Sequence, residues 1–146
     1  MTVYLDTSFL VSLYTQDAHS HRAASYITKA AAPFPLTGFL RAETTNAIEL
    51  RIFRGEITAF QASQALGDLT SDLNTSLYYE APMPPDVYET AQRLSRKHTA
   101  TLGSRTLDIL HVASALVLKA DAFYTFDRRQ ARLARAAGVK TPVRIP

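Results

Sequence analysis

Residues 2–15 read Thr-Val-Tyr-Leu-Asp-Thr-Ser-Phe-Leu-Val-Ser-Leu-Tyr-Thr, and this stretch decides the class of fold. Val3-Tyr4-Leu5 is an apolar run too short for a helix and suited to a buried strand; Asp6 closes it, and Ser8 to Thr15 continues with helical spacing. The order strand, acid, helix returns near the other end. Ala122 to Thr125 is a strand, Phe126-Asp127 follows, and Arg128 to Ala137 is a helix stopped at Gly138.

Working inward from these two ends, His19 to Ala32 reads as a helix and Pro33-Phe34-Pro35-Leu36 as a short strand ended by Thr37-Gly38. Phe39 to Phe53 is a longer helix, with Leu40, Ala47, Ile48 and Ile52 on one side and a left-handed cap available at Gly55. Another helix starts from Thr58. Leu77-Tyr78-Tyr79 is a third strand, closed by Pro82-Met83-Pro84-Pro85, and Asp86 to Thr99 is a helix that turns Val87, Ala91 and Leu94 inward. Gly103 breaks the chain, Thr106 is placed to cap a helix running to Lys119, and Val143 to Ile145 is expected as a last edge strand. Such alternation predicts an α/β fold with right-handed crossovers, a mainly parallel sheet and helices on both faces.

At 146 residues and 47% hydrophobic content, one domain spanning 1–146 and one continuous core are expected. Cysteine is absent, which excludes disulfides, thiolate nucleophiles and Cys-based zinc sites, so any metal must bind oxygen or imidazole. Phe9 to Leu13 and Ile109 to Leu118 fall short of the roughly 20 apolar residues of a membrane span. The chain starts directly on a strand-like run without a basic leader, so a soluble, cytoplasmic protein is the expectation.

Charge is unevenly distributed. Residues 1–90 hold five Lys/Arg against ten Asp/Glu, whereas residues 91–146 hold eleven against three, which makes the C-terminal third a basic face. Between Arg128 and Pro146 stand Arg128, Arg129, Arg132, Arg135, Lys140 and Arg144 with no acid among them, a composition suited to a phosphate backbone and equally to a solvated helix face.

In open parallel sheets the functional crevice lies beyond the carboxyl ends of the strands, where Asp6 and Asp127 fall. Each also has a structural alternative, as N-cap of the helix that follows. Asp108 lies in the first turn of an apolar helix, where an uncompensated carboxylate would be expensive; the helix N-terminus, Arg105 or His111 are the ordinary compensations. Glu43 and Asn46 share a helix face, which by itself equally describes a solvated stripe. Four acids gathered together would repel one another unless cations neutralised them, and oxygen-only clusters favour Mg²⁺ or Mn²⁺.

The motifs Tyr4-Leu5-Asp6-Thr7-Ser8, Arg41-Ala42-Glu43-Thr44-Thr45-Asn46, Arg105-Thr106-Leu107-Asp108-Ile109-Leu110-His111-Val112-Ala113 and Phe123-Tyr124-Thr125-Phe126-Asp127 stand in the order and spacing of a known family. Together they make the chain resemble, over nearly its whole length, a PIN-domain ribonuclease of the VapC type, the toxin of a toxin–antitoxin pair. The resemblance implies a three-layer α/β/α fold on a five-stranded parallel sheet, with Asp6 and Asp127 on neighbouring central strands. It implies that Asp6, Glu43, Asp108 and Asp127 are the catalytic, metal-binding acids of an endoribonuclease that uses one or two Mg²⁺ or Mn²⁺ ions. Thr7, Asn46 and Thr125 would support the ligands, with Ser8 beside them, and a packing role is favoured for His111.

Arg105, Arg128, Arg129 and Arg132 would hold RNA phosphates, and nearby Tyr and Phe side chains would stack unpaired bases. The resemblance further implies a homodimer and a small cognate antitoxin lying along the helices from Leu40 to Leu73. A PIN nuclease of housekeeping RNA processing and a non-catalytic Mg²⁺-binding module are the alternatives. A phosphotransfer enzyme with Asp6 as nucleophile would want a second acid two residues on, where Ser8 stands.

Overall fold

The computed structural model describes residues Met1–Pro146, which divide into two compact units, one formed by Met1–Asp6 with Pro82–Pro146 and the other by Thr7–Ala81. In the first unit, strand β1 (Val3–Leu5) pairs in parallel with β4 (Ala122–Tyr124), in the register Val3 to Ala122, Tyr4 to Phe123 and Leu5 to Tyr124. Every residue of both strands is buried. Tyr4 and Phe123 lie opposite each other and stack, ring centroids 5.3 Å apart and planes inclined by 15°, so an aromatic cross-strand pair fixes the register.

Helix α7 (Thr106–Val117) buries Ile109, His111, Val112, Ala113, Ser114 and Ala115, and packs against α5 (Val87–Leu94) and α8 (Arg128–Ala136). Its small residues permit that close approach. The expected cap at Thr106 is displaced by one residue: Arg105 holds the extended N-cap backbone (φ −87°, ψ 162°) and Thr106 is the first helical residue. The helix expected over Asp86 to Thr99 is likewise broken up. It begins at Val87, widens into a π-helical turn at Ser95–Thr99 and finishes as α6 (Ala100–Leu102), before Gly103 at φ 65° ends it.

The expected edge strand at Val143 to Ile145 does not form. Extended pairing reaches only a single parallel bridge between Ala122 and Lys140, with the Phe123 N–H donating to the Lys140 carbonyl at 2.8 Å. Pro142 and Pro146 flank the segment, and neither has an N–H to donate to a ladder.

The second unit comprises α1 (Thr7–Tyr14), α2 (Ser20–Lys29), β2 (Phe34–Leu36), α3 (Gly38–Phe53), α4 (Ala59–Asn74) and β3 (Tyr78–Glu80). β2 and β3 pair in parallel, Phe34 to Tyr78 through Leu36 to Glu80. The third strand thus lies one residue later than its apolar run suggests. Helix α1 packs on α2, α3 and α4, and Val11, Ile48, Ala62 and Ala65 form a buried cluster edged by Tyr14, Ile52, Ile57 and Leu66. Cutting the fully buried Ile48 to Ala would cost about 2–5 kcal/mol by the usual cavity penalty.

Local signals fix the helix starts. Thr37 caps α3 by accepting the Leu40 N–H at 3.1 Å, and Thr58 and Gln61 form a reciprocal capping box at α4. The strands therefore make two parallel pairs, and the five-stranded sheet implied by resemblance is not formed: four strands are present, plus the bridge at Lys140. No helix is long and apolar enough to cross a membrane.

Candidate active site

The carboxyl ends of β1 and β4 carry the most developed polar arrangement of the first unit. The ladder runs one step past the strands, with the Asp6 N–H donating to the Tyr124 carbonyl at 3.0 Å, so Asp6 and Thr125 stand side by side. The Thr125 hydroxyl donates to Asp6 Oδ2 at 2.5 Å, and Thr125 Oγ1 itself accepts the Asp127 N–H at 2.9 Å. Asp6 is 2% exposed and Thr125 1%. A carboxylate this buried needs hydrogen-bond donors, and the Thr125 hydroxyl is one of them.

Asp127 begins the next element. Its Oδ1 accepts the backbone N–H groups of Arg129 at 2.7 Å and Gln130 at 3.3 Å, so it caps α8, as its position before Arg128 suggests. One threonine hydroxyl thus links a buried acid at the end of one strand to the backbone of a half-exposed acid at the end of its neighbour.

Asp108 is half-buried in the first turn of α7, where its Oδ2 accepts the Arg105 N–H at 3.2 Å. Its contact with Arg105 is therefore with the backbone; the exposed guanidinium, which has no acceptor atom, cannot complete a capping box. One turn on, His111 is 3% exposed and its Nδ1 lies 3.1 Å from the Tyr4 hydroxyl, with the two rings edge to face. Sequence reasoning paired His111 with Asp108 or with the core in general, and missed Tyr4, whose polar tip on an otherwise buried strand was the available signal.

In the second unit, Glu43 is half-buried on α3, and the Thr7 hydroxyl donates to its Oε2 at 3.4 Å. Asn46 is exposed one turn later. Arg41 leaves that face and lies 3.7 Å from Glu80. A polar hub also escaped the sequence: Arg51 donates to Thr15 Oγ1 at 2.9 Å and Asp17 Oδ2 at 2.8 Å, and pairs with Glu56 at 3.5 Å. Asp17 also accepts from Ser12 Oγ and the His19 N–H, each at 2.8 Å. Nothing local in the sequence tells that Arg51 differs from Arg54, since the hub joins residues more than thirty positions apart. Close by, Tyr14 lies 2.6 Å from Asp72 Oδ2 and 2.9 Å from the Tyr78 hydroxyl; burial above all, then Tyr78 and Asp72, pushes its hydroxyl far above the ordinary phenol value.

Arg128, Arg129 and Arg132 are exposed on α8. No three His, Asp or Glu side chains form a ready-made metal cage. The chemistry on offer at the β1 and β4 ends is that of oxygen ligands: the Asp6 carboxylate, held by the Thr125 hydroxyl, and the carboxylate of Asp127, whose backbone the same hydroxyl holds.

The chain matches the model of the PIN domain over residues 3–136 and belongs to the PIN-domain family, a family of nucleases. Among the solved structures that share the fold, two are similar over nearly the whole chain. One is VapC20 of Mycobacterium tuberculosis, described as a sarcin-ricin loop cleaving toxin, at 18% identity and TM-score 0.70 over 94% of this chain and 96% of that one. The other is FitAcB from Neisseria gonorrhoeae, at 17% identity and TM-score 0.66 over 97% of this chain and 96% of that one. No curated protein sequence is a significant match.

Proposed function

We propose that this protein is a Mg²⁺- or Mn²⁺-dependent endoribonuclease and the toxin of a toxin–antitoxin pair. One observation carries the proposal: in a chain of the PIN family, Thr125 joins Asp6 to the backbone of Asp127 at the carboxyl ends of two paired parallel strands. Likeness in fold to a toxin that cleaves the sarcin-ricin loop supports the substrate class.

Asp6, Asp108 and Asp127 are the proposed ligands, with Glu43 joining them directly or through water. The donor set fits Mg²⁺ or Mn²⁺: it is all oxygen, and because Mg²⁺ keeps several waters and needs only one or two carboxylates, no preformed cage is required. When bound, such an ion supplies a water nucleophile at neutral pH and neutralises charge on the phosphodiester oxygens.

Support for adding Asp108 comes from Tyr4 and His111. Tyr4 and Asp6 are two apart on an extended segment and so share a face, while Asp108 and His111 are three apart on a helix and share another. The hydrogen bond between Tyr4 and His111 supports an arrangement in which the Asp108 side of α7 faces the Asp6 side of β1. Thr125 orients the Asp6 carboxylate, and the α8 amides hold Oδ1 of Asp127. Glu43 or Asp127 accepts the proton released on attack. Arg105 and the α8 arginines hold flanking phosphates, and Thr7 and Asn46 support Glu43.

The antitoxin is proposed to lie on α3 and α4. That helix pair exposes Phe53 (87%), Phe60 (71%) and Leu50 (37%), a concentration of large apolar side chains that suits a partner's amphipathic segment. A homodimer in the cytoplasm completes the proposal.

The test is cleavage of total cellular RNA by purified protein, wild type against Asp6→Asn, with 5′ ends mapped. Wild type should cut in Mg²⁺ or Mn²⁺ and stop on chelation, and Asp6→Asn should fold normally yet not cut. Equal cleavage by the variant would refute the assignment. Growth arrest on expression, relieved by a neighbouring small gene, separates the toxin from a housekeeping nuclease.

A further inference from the structure

The basic C-terminal third is not a uniformly charged surface. Arg128, Arg132 and Arg135 recur at the four- and three-residue spacing that puts them on one face of α8, and all three line a single cleft of about 580 Å³. Its opposite wall is the segment after the helix: Thr141, Pro142, Val143, Arg144 and Ile145. Arg129, one residue off the stripe, is not part of it. Four arginines thus line one groove, in a stretch from Arg128 to Pro146 that contains no Asp or Glu.

A solvated helix disperses like charges, since neighbours of the same sign at this spacing are destabilising. Here the facing segment instead adds Arg144 to the three already there. One of the arginines donates to a neutral acceptor of that segment, Arg135 to the Thr141 hydroxyl at 3.2 Å, while Arg128 donates to an oxygen of Pro146. A phosphate oxygen is a stronger acceptor for a guanidinium than a hydroxyl and would replace Thr141. From Arg128 to Arg135 the helix rises about 10 Å, a length over which one nucleic-acid strand presents about three phosphates. Pro142, Val143 and Ile145 supply an apolar wall between the charges, suited to ribose and base rather than to water.

We propose that the cleft between α8 and residues 141–145 is a track for the phosphate backbone of an RNA strand, with Arg135 and Arg144 as phosphate-binding residues. The track starts at Arg128, directly after Asp127, so it would guide a strand away from the acids at the β1 and β4 ends. This rests on the ribonuclease proposal for its ligand but not for its measurement.

The test is binding of a fluorescently labelled single-stranded RNA of about 12 nucleotides to the full chain without divalent ions, followed by anisotropy across a salt series. Losing two phosphate contacts should lower the affinity of Arg135→Ala/Arg144→Ala roughly 10- to 30-fold near 0.1 M salt, and flatten the slope of log K against log salt by about 1.4. Arg135→Lys/Arg144→Lys should keep most of the slope, which separates charge from the packing role of the Thr141 contact. Arg54→Ala, an exposed arginine of the other unit, should change neither quantity.

An unchanged slope in the double alanine variant, or a wild type that binds no RNA, overturns the track. So does a variant that loses an acidic polyglutamate peptide while keeping RNA. Cleavage by Asp6→Asn would instead defeat the nuclease assignment and leave the track standing.

Discussion

Thr125 donates its hydroxyl hydrogen to the carboxylate of Asp6 across 2.5 Å, and both side chains are buried. Replacing Thr125 by Val keeps the shape and removes the donor, leaving a buried carboxylate short of a partner. The expected cost is about 1–3 kcal/mol of stability, read from urea unfolding, together with at least a tenfold fall in RNA cleavage. Thr125→Ser keeps the hydroxyl and should recover most of both. Wild-type behaviour of Thr125→Val would show that the contact holds nothing in place.

Asp127 serves two ends, since the oxygen that caps α8 belongs to a proposed ligand. Asp127→Ala should lose about 1 kcal/mol of stability and also the activity. Asp127→Ser, a good cap without the charge, should recover the stability and stay inactive. If the serine variant cuts RNA, Asp127 is a cap and nothing more.

The hydrogen bond between Tyr4 and His111 predicts a third separation. Tyr4→Phe keeps the stack on Phe123 and breaks only the polar contact, at an expected cost of about 1 kcal/mol. If the contact helps to orient α7 and the Asp108 it carries, as proposed, kcat should fall with little change in KM. A loss of stability with no change in kcat would make His111 a packing residue alone.

Stability should depend on acid through Asp17. Burial by itself raises this carboxyl, but hydrogen bonds from the His19 N–H, Arg51 and Ser12, with the charge of Arg51, outweigh it and leave Asp17 below its ordinary value of 3.8. A group lowered in the folded state stabilises above its unfolded value and loses that contribution as pH falls through the folded one. Asp17→Asn should therefore cost about 2 kcal/mol at pH 7, and the gap from wild type should narrow as pH falls below the ordinary carboxyl value of 3.8. A gap independent of pH in urea titrations would contradict this.

Much of the element order was legible because it depends on neighbours. Three-residue apolar strands, Thr37 and Thr58 before helices, and Gly55, Gly103 and Gly138 after them all act within a few positions. The expected strand at Val143 to Ile145 failed for a local reason that was also visible, its flanking prolines. The π-helical turn at Ser95 and the Arg51 hub were not visible: the first depends on which faces α5 must bury, and the second on contacts between distant residues. At the candidate site, the strand-end positions of Asp6 and Asp127 could be read directly. The Thr125 hydroxyl between them, and Tyr4 beneath His111, needed the register of β1 against β4.

The π-helical turn at Ser95–Thr99 has a consequence for ancestry. Such a turn is a helix that has absorbed one extra residue by widening a single ring of hydrogen bonds. An alignment of relatives should then place a one-residue gap inside this helix, where gaps are normally avoided, rather than in the loop at Gly103. A shortened chain with one residue deleted between Ser95 and Thr99 should close into an ordinary α-helix, and the length of this helix becomes a marker for sorting lineages that share the same acids.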